Sequence, residues 1–245
     1  MSSASAADRW CRWAGVLTGV VAARFVGNAW ETGGDVGVLY AVLVFGLCAV
    51  AGVLAGDLLT ARPRGTVRTA ALTPRRVRDY VPPRMTPFLV IQAGLLVVLL
   101  VVAAVLVGPG ESSRAGDSLT FTCQDGGFVA LGAWPGGLYG LPVVACVAGA
   151  AAVCVWSLTW IARRPGDDQS RQDRSLAVVA AWGLLVSALL LGIASTMSGA
   201  LMGTTCDGIL GRIGAGILWL TALIALVTVS WSIVTVLAPK ARVRR

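Results

Sequence analysis

Two cysteines offer the most specific chemistry in the chain. Cys123 stands in "FTCQDGG" and Cys206 in "TTCDGIL", each beside aspartate and glycine. Two thiols can form a structural disulfide, act as a redox pair or bind a soft metal. The sequence contains no histidine, so a zinc site of the usual mixed cysteine–histidine kind is not available. A disulfide is the favoured reading; it requires an oxidising compartment and Cα atoms about 4.4–6.8 Å apart. Cys11, Cys48, Cys146 and Cys154 stand at or within apolar runs and read as small packing residues.

Two charges interrupt apolar runs. Arg24 is followed by the short polar stretch that holds Glu31 and Asp35. A charge at membrane depth is a functional candidate by default, but an arginine stem can equally carry its guanidinium out to the headgroups. Asp57 ends a long apolar run just before Arg62 and Arg64. It reads either as a proton or cation site or as an interfacial acid paired with one of those arginines. Without histidine, no Ser-His or Cys-His nucleophile pair can be assembled. No set of Asp, Glu, Ser or Cys residues gathers at one depth. The expectation is therefore a chain that is not an enzyme and carries no cofactor.

The strongest charge feature is "ARPRGTVRTAALTPRRVRDYVPPR" at 61–84. It holds Arg62, Arg64, Arg68, Arg75, Arg76, Arg78 and Arg84, with Asp79 as its only acid. Thr73-Pro74 suits a helix start, since Thr caps and Pro fits the first helical position. Pro82-Pro83 ends it. Val77, Tyr80 and Val81 then share one face, which predicts a short amphipathic helix lying on a membrane surface. Its arginines suit anionic lipid headgroups at about 1 kcal/mol each, or alternatively a cytoplasmic partner protein. Together with the layout of apolar runs, this segment resembles a group of uncharacterised multi-pass membrane proteins from high-GC actinobacteria. That resemblance implies no activity and no site residues.

The elements that position these residues are apolar. The chain has 245 residues, 56% hydrophobic and only 13% charged, with a mean hydropathy of +0.78. Soluble domains are about one quarter charged. Six segments, 13–30, 36–59, 86–107, 138–162, 176–197 and 209–237, approach or exceed the ~20 residues that cross a hydrocarbon core. In lipid such runs satisfy their backbone as helices, so the expected fold is all-α, one domain over 1–245, with six transmembrane helices and short loops. The first run follows Arg9 and Arg12 as a secretory signal would, but no A-x-A cleavage site follows it, and it reads as a retained span.

Charge sets the orientation. With the N-terminus inside, two basic residues before the first span, seven at 61–84, four at 163–174 and four in the tail fall on the inner side. Only Arg24, Arg114 and Arg212 fall outside. The excess predicts a bacterial plasma-membrane protein with both termini cytoplasmic. The net charge of +8 is thus a topological signal and not a nucleic-acid surface. Trp10, Trp13 and Trp160 are expected at the inner interface. The glycines of "GILGRIGAG" (Gly208, Gly211, Gly214, Gly216) have the small-residue spacing of a close helix crossing. "ARRPGDDQSRQDRS", with Asp167 and Asp168, reads as a solvated polar linker. The function these features predict is a non-enzymatic structural or accessory membrane component. The alternative is a small-solute transporter, or the permease subunit of an ATP-driven exporter with a separate ATPase.

Overall fold

A computed structural model describes residues 3–29, 36–59, 85–106, 119–122, 128–131, 137–163, 168–203 and 209–238. Its helices are α1 (Ser3–Ala29), α2 (Val36–Leu59), α3 (Met85–Leu106), α4 (Gly137–Arg163), α5 (Asp168–Gly203) and α6 (Ile209–Leu237). Five contain segments long and apolar enough to cross a membrane: Gly37–Leu59, Met85–Val105, Gly140–Arg163, Arg171–Met202 and Gly211–Leu237. α1 is not among them.

The segment between α3 and α4 adds a feature absent from the expected all-α fold. Strands β1 (Leu119–Thr122) and β2 (Phe128–Leu131) pair antiparallel, with Thr122 opposite Phe128 and Leu119 opposite Leu131. Two short β-rich runs separated by five residues that include Asp-Gly-Gly are a hairpin pattern in the sequence. The long neighbouring helical runs outweigh it in a whole-chain reading.

α5 is the axis of the fold. At 36 residues it is about 54 Å long by the rise of 1.5 Å per residue, well beyond a hydrocarbon core of about 30 Å. Its first turns take in Asp168 to Arg174, which corrects the polar-linker reading of that stretch. Burial marks its position: 78% of its spanning window is buried, against 39% for α2 and 28% for α3, α4 and α6. A helix apolar on all sides belongs inside the protein. Leu184, Leu185, Val186, Leu189, Leu190 and Ile193 are all fully enclosed.

Two long antiparallel seams flank α5. On the α2 side, Asp57 meets Arg174, Gly46 meets Leu185 and Leu39 meets Gly192. Each step along α2 is matched by an equal step back along α5 over about 27 Å. On the α6 side, Leu201 lies by Gly214 and Gly183 by Ser232, again a matched interval. Glycine permits the closest points. A Cβ on Gly46 would stand 3.0 Å from the Leu185 Cα, and one on Gly183 would stand 3.0 Å from both methyl carbons of Leu89 on α3.

α1 is held differently. It runs antiparallel along α2 through Gly15 and Gly19, placed against Gly52, Phe45 and Cys48. A Cβ on either Gly15 or Gly52 would lie 2.6 Å from the other's Cα, so the two backbones touch. This is the close small-residue crossing that membrane helices use. The α6 glycines Gly214 and Gly216 make none within the described residues: a Cβ on Gly216 would meet nothing within 4 Å and one on Gly214 only Leu201 at 3.8 Å.

Successive helices alternate in direction. The α3 end and α4 start meet at Leu100 and Gly140. Consequently α1, α3 and α5 begin at the same end of the bundle at which α2, α4 and α6 finish.

Candidate functional site

Polar side chains inside an apolar bundle must find partners, because an unsatisfied group there costs several kcal/mol. Most do so within their own helix. Ser187 donates to the Gly183 carbonyl at 2.6 Å, Thr221 to Ile217 at 2.9 Å and Thr235 to Trp231 at 2.8 Å. Such bonds to the preceding turn hide a hydroxyl without requiring a neighbour. Two sites go further and join helices.

The first lies where α2 ends and α5 begins. Asp57 is 6% exposed, and its Oδ1 accepts from Arg174 Nη1 at 3.0 Å. The expected partners were Arg62 or Arg64, which lie outside the described residues; the observed partner comes from a distant stretch of sequence. The physical reason is the extra length of α5. Its first two turns project below its apolar stretch and bring arginine alongside α2 in register. Arg12 of α1 and Arg171 of α5 are also buried, and neither is left without a partner. Charged residues of α1, α2 and α5 thus cluster at one end of the bundle, enclosed by protein rather than spread over a solvated surface. A buried carboxylate that accepts from a guanidinium is strongly held, and removal of one partner costs more than the pair contributes.

The second lies between α3 and α6, beside α5. Gln92 is 3% exposed, and its Nε2 donates to Thr228 Oγ1 at 2.9 Å. The Thr228 hydroxyl donates its only hydrogen to the Ile224 carbonyl at 2.9 Å, so it can only accept from glutamine. That fixes the amide orientation and turns Gln92 Oε1 away from Thr228. Gln92 Oε1, Ser232 Oγ and Trp182 Nε1 are buried with no hydrogen-bond partner among the described residues. A lone amide in the run "FLVIQAGLL" was the available signal for this site.

The other expected residues are placed as follows. Arg24 is exposed on α1, and its expected partners Glu31 and Asp35 lie outside the described residues. So do Cys123, Cys206, Asp167 and all of 61–84, including the expected amphipathic helix and its arginines. Cys11, Cys48, Cys146 and Cys154 carry free thiols. Among the described residues, no group of three His, Cys, Asp or Glu side chains could hold a metal ion. Trp10 and Trp13 are exposed on α1, and Trp156 and Trp160 on α4. No family model, curated protein or solved structure matches the chain.

Proposed function

We propose that the chain is a six-span protein of the bacterial plasma membrane that serves as a non-enzymatic structural or accessory component. Both termini and the arginine-rich segment lie on the cytoplasmic side in this reading. The observation that carries it is the enclosure of α5. A helix packed along matched seams with α2 and α6 makes a solid core, suited to holding a fixed shape. The sixth span is α1. Its glycine face lies along α2 for the length of that helix. Its opposite face exposes Trp10, Trp13, Leu17, Val20, Val21 and Phe25. Arg9 and Arg24 stand about 22 Å apart by helical rise, short of the hydrocarbon core of about 30 Å, and an arginine stem can carry its charge outward to the headgroups. The resemblance to multi-pass proteins of high-GC actinobacteria agrees with this layout, and the basic end suits anionic headgroups or a cytoplasmic partner.

The reading is tested by affinity purification from crosslinked membranes together with solute flux from liposomes that contain the purified chain. A structural or accessory role predicts a reproducible membrane or cytoplasmic partner and no flux above empty liposomes. A transporter is the second reading, favoured by the unpartnered Gln92 and Ser232 atoms inside the bundle. It predicts flux that is lost in Gln92→Leu. The permease form of that reading predicts recovery of a separate ATPase.

A further inference from the structure

The face of α1 turned away from α2 holds a cavity of about 330 Å³, walled by Arg9, Trp10, Trp13 and Leu17. We propose that this cavity binds one anionic glycerophospholipid at the arginine-rich end of the bundle, an inference that rests on the reading of α1 as a membrane span.

Three observations support it. The first is order. Leu17 lies eight residues from Arg9, about 12 Å along the helix; the wall is apolar, made by two indoles, an aliphatic side chain and the carbon stem of Arg9, and Arg9 is exposed at its N-terminal end. A phospholipid has a like order, from phosphate through glycerol esters to methylenes. Indoles favour the middle of that gradient, where one edge is wet and the ring is apolar. The second is size. The volume lies near the lower end of the ~300–1,000 Å³ of ligand pockets. It therefore suits part of one lipid, with the rest of the molecule in the bilayer. The third is charge. Arg9 is exposed, and its guanidinium fork can take two phosphate oxygens. The same end of the bundle carries the surplus of arginine, which disfavours a headgroup that bears its own cation.

A contrast within the molecule sharpens the assignment. α4 places the same residue types in the same order, Arg163, Trp160 and Trp156. There the two indole rings lie 5.8 Å apart, tilted against each other, and pair with one another.

The test uses the full chain in mild detergent, with bound lipid counted by native mass spectrometry after addition of phosphatidylglycerol or phosphatidylcholine. The expected result is one retained phosphatidylglycerol, in preference to phosphatidylcholine. Arg9→Gln should lower that retention about fivefold, which corresponds to the ~1 kcal/mol of one basic residue near anionic lipid. Trp13→Ala should lower retention of both lipids, and Trp160→Ala should leave both unchanged. Equal retention of the two lipids, an unaffected Arg9→Gln variant, or displacement by inorganic phosphate would each overturn the proposal. Should Trp13→Ala fail to fold, Arg9→Gln carries the test, because an exposed charge is removed without loss of packing. Topology is read separately by peptide-resolved labelling of Ser3→Cys with a membrane-impermeant maleimide in intact cells. Labelling there defeats the span reading itself; protection combined with absent lipid selectivity defeats the lipid site alone.

Discussion

α5 and α1 are both long helices, yet they are retained by opposite means. α5 is surrounded, and its spanning window is 78% buried. Its identity as a span would survive the loss of any one contact. α1 has one main neighbour and is held by backbone contact at two glycines, with an apolar stripe left open on its other side. The comparison teaches that hydropathy and packing are separate signals in a membrane bundle. α3 has the higher mean hydropathy, 2.9 against 2.5 for α5, yet only 28% of its window is buried against 78%. α1 is more dilute in apolar residues, with Gly15 and Gly19 on the face that meets α2 and Asp8, Arg9, Arg12 and Arg24 along its length.

The largest effect should come from the ion pair that pins the α2–α5 seam. Asp57→Ala leaves the half-buried Arg174 without its carboxylate; loss of one partner of a fully buried pair costs about 3–5 kcal/mol, and the exposed part of Arg174 places the expected cost toward the lower end of that range. We expect a marked fall in thermal midpoint in detergent and poor accumulation in membranes. Asp57→Ala combined with Arg174→Met should recover much of the loss, since no charge is then stranded. If the double variant is no better than the single one, the pair is not what holds the seam.

Next come the two glycine crossings, which separate core from periphery. Gly46→Ala forces a Cβ to 3.0 Å from the Leu185 Cα, and α5 is hemmed in by its other neighbours. Overpacking of this kind costs about 1–3 kcal/mol and should appear as a lower global unfolding midpoint. Gly15→Ala meets backbone more closely, 2.6 Å from the Gly52 Cα against 3.0 Å at Gly46, but α1 can move outward. Its effect should be local: faster hydrogen exchange through α1 with the rest of the bundle little changed. Uniform loosening of all six helices in Gly15→Ala would erase the distinction drawn between the two helices.

The two crossings also show what could be read in the residues alone. Apolar runs fixed the helices closely: 36–59 and 209–237 agree with α2 and α6, and 86–107 and 138–162 fall within one residue of α3 and α4 at either end. α1 starts ten residues before its expected bound, and α5 overruns its own by eight residues at the start and six at the finish; the added first turns of both are polar, and hydropathy cannot see a helix that continues on pairing and packing. The partner of Asp57 was hidden for the same reason. Sequence proximity favoured Arg62 and Arg64, whereas a register set by Gly46 and Gly192 delivers Arg174. Glycine spacing was legible in both α1 and α6, but spacing does not say which face meets a neighbour. Gly15 and Gly19 lie on the packed face, while Gly216 is exposed.

Gln92→Leu should have a smaller effect. The substitution removes the bond to Thr228 and also removes a buried carbonyl oxygen that has no partner among the described residues. These changes oppose each other, so the net cost should stay near or below ~1 kcal/mol, the usual net contribution of a hydrogen bond. Measurement of the unfolding midpoint in detergent checks this. A loss several times larger would mean that the amide oxygen is satisfied and that the bridge is central to the contact between α3 and α6.

The smallest effect, and one of opposite sign, is expected at Gly216. A Cβ there meets nothing within 4 Å, so Gly216→Ala adds no clash. Alanine also restricts the unfolded backbone and favours the helix by up to ~1 kcal/mol. The variant should match or slightly exceed the parent in thermal midpoint, while Gly15→Ala weakens α1. If Gly216→Ala instead destabilised the protein while remaining well folded in dilute detergent, the open face of α6 would have a close neighbour outside this chain. The small-residue spacing of "GILGRIGAG" would then be explained by contact between molecules rather than within one.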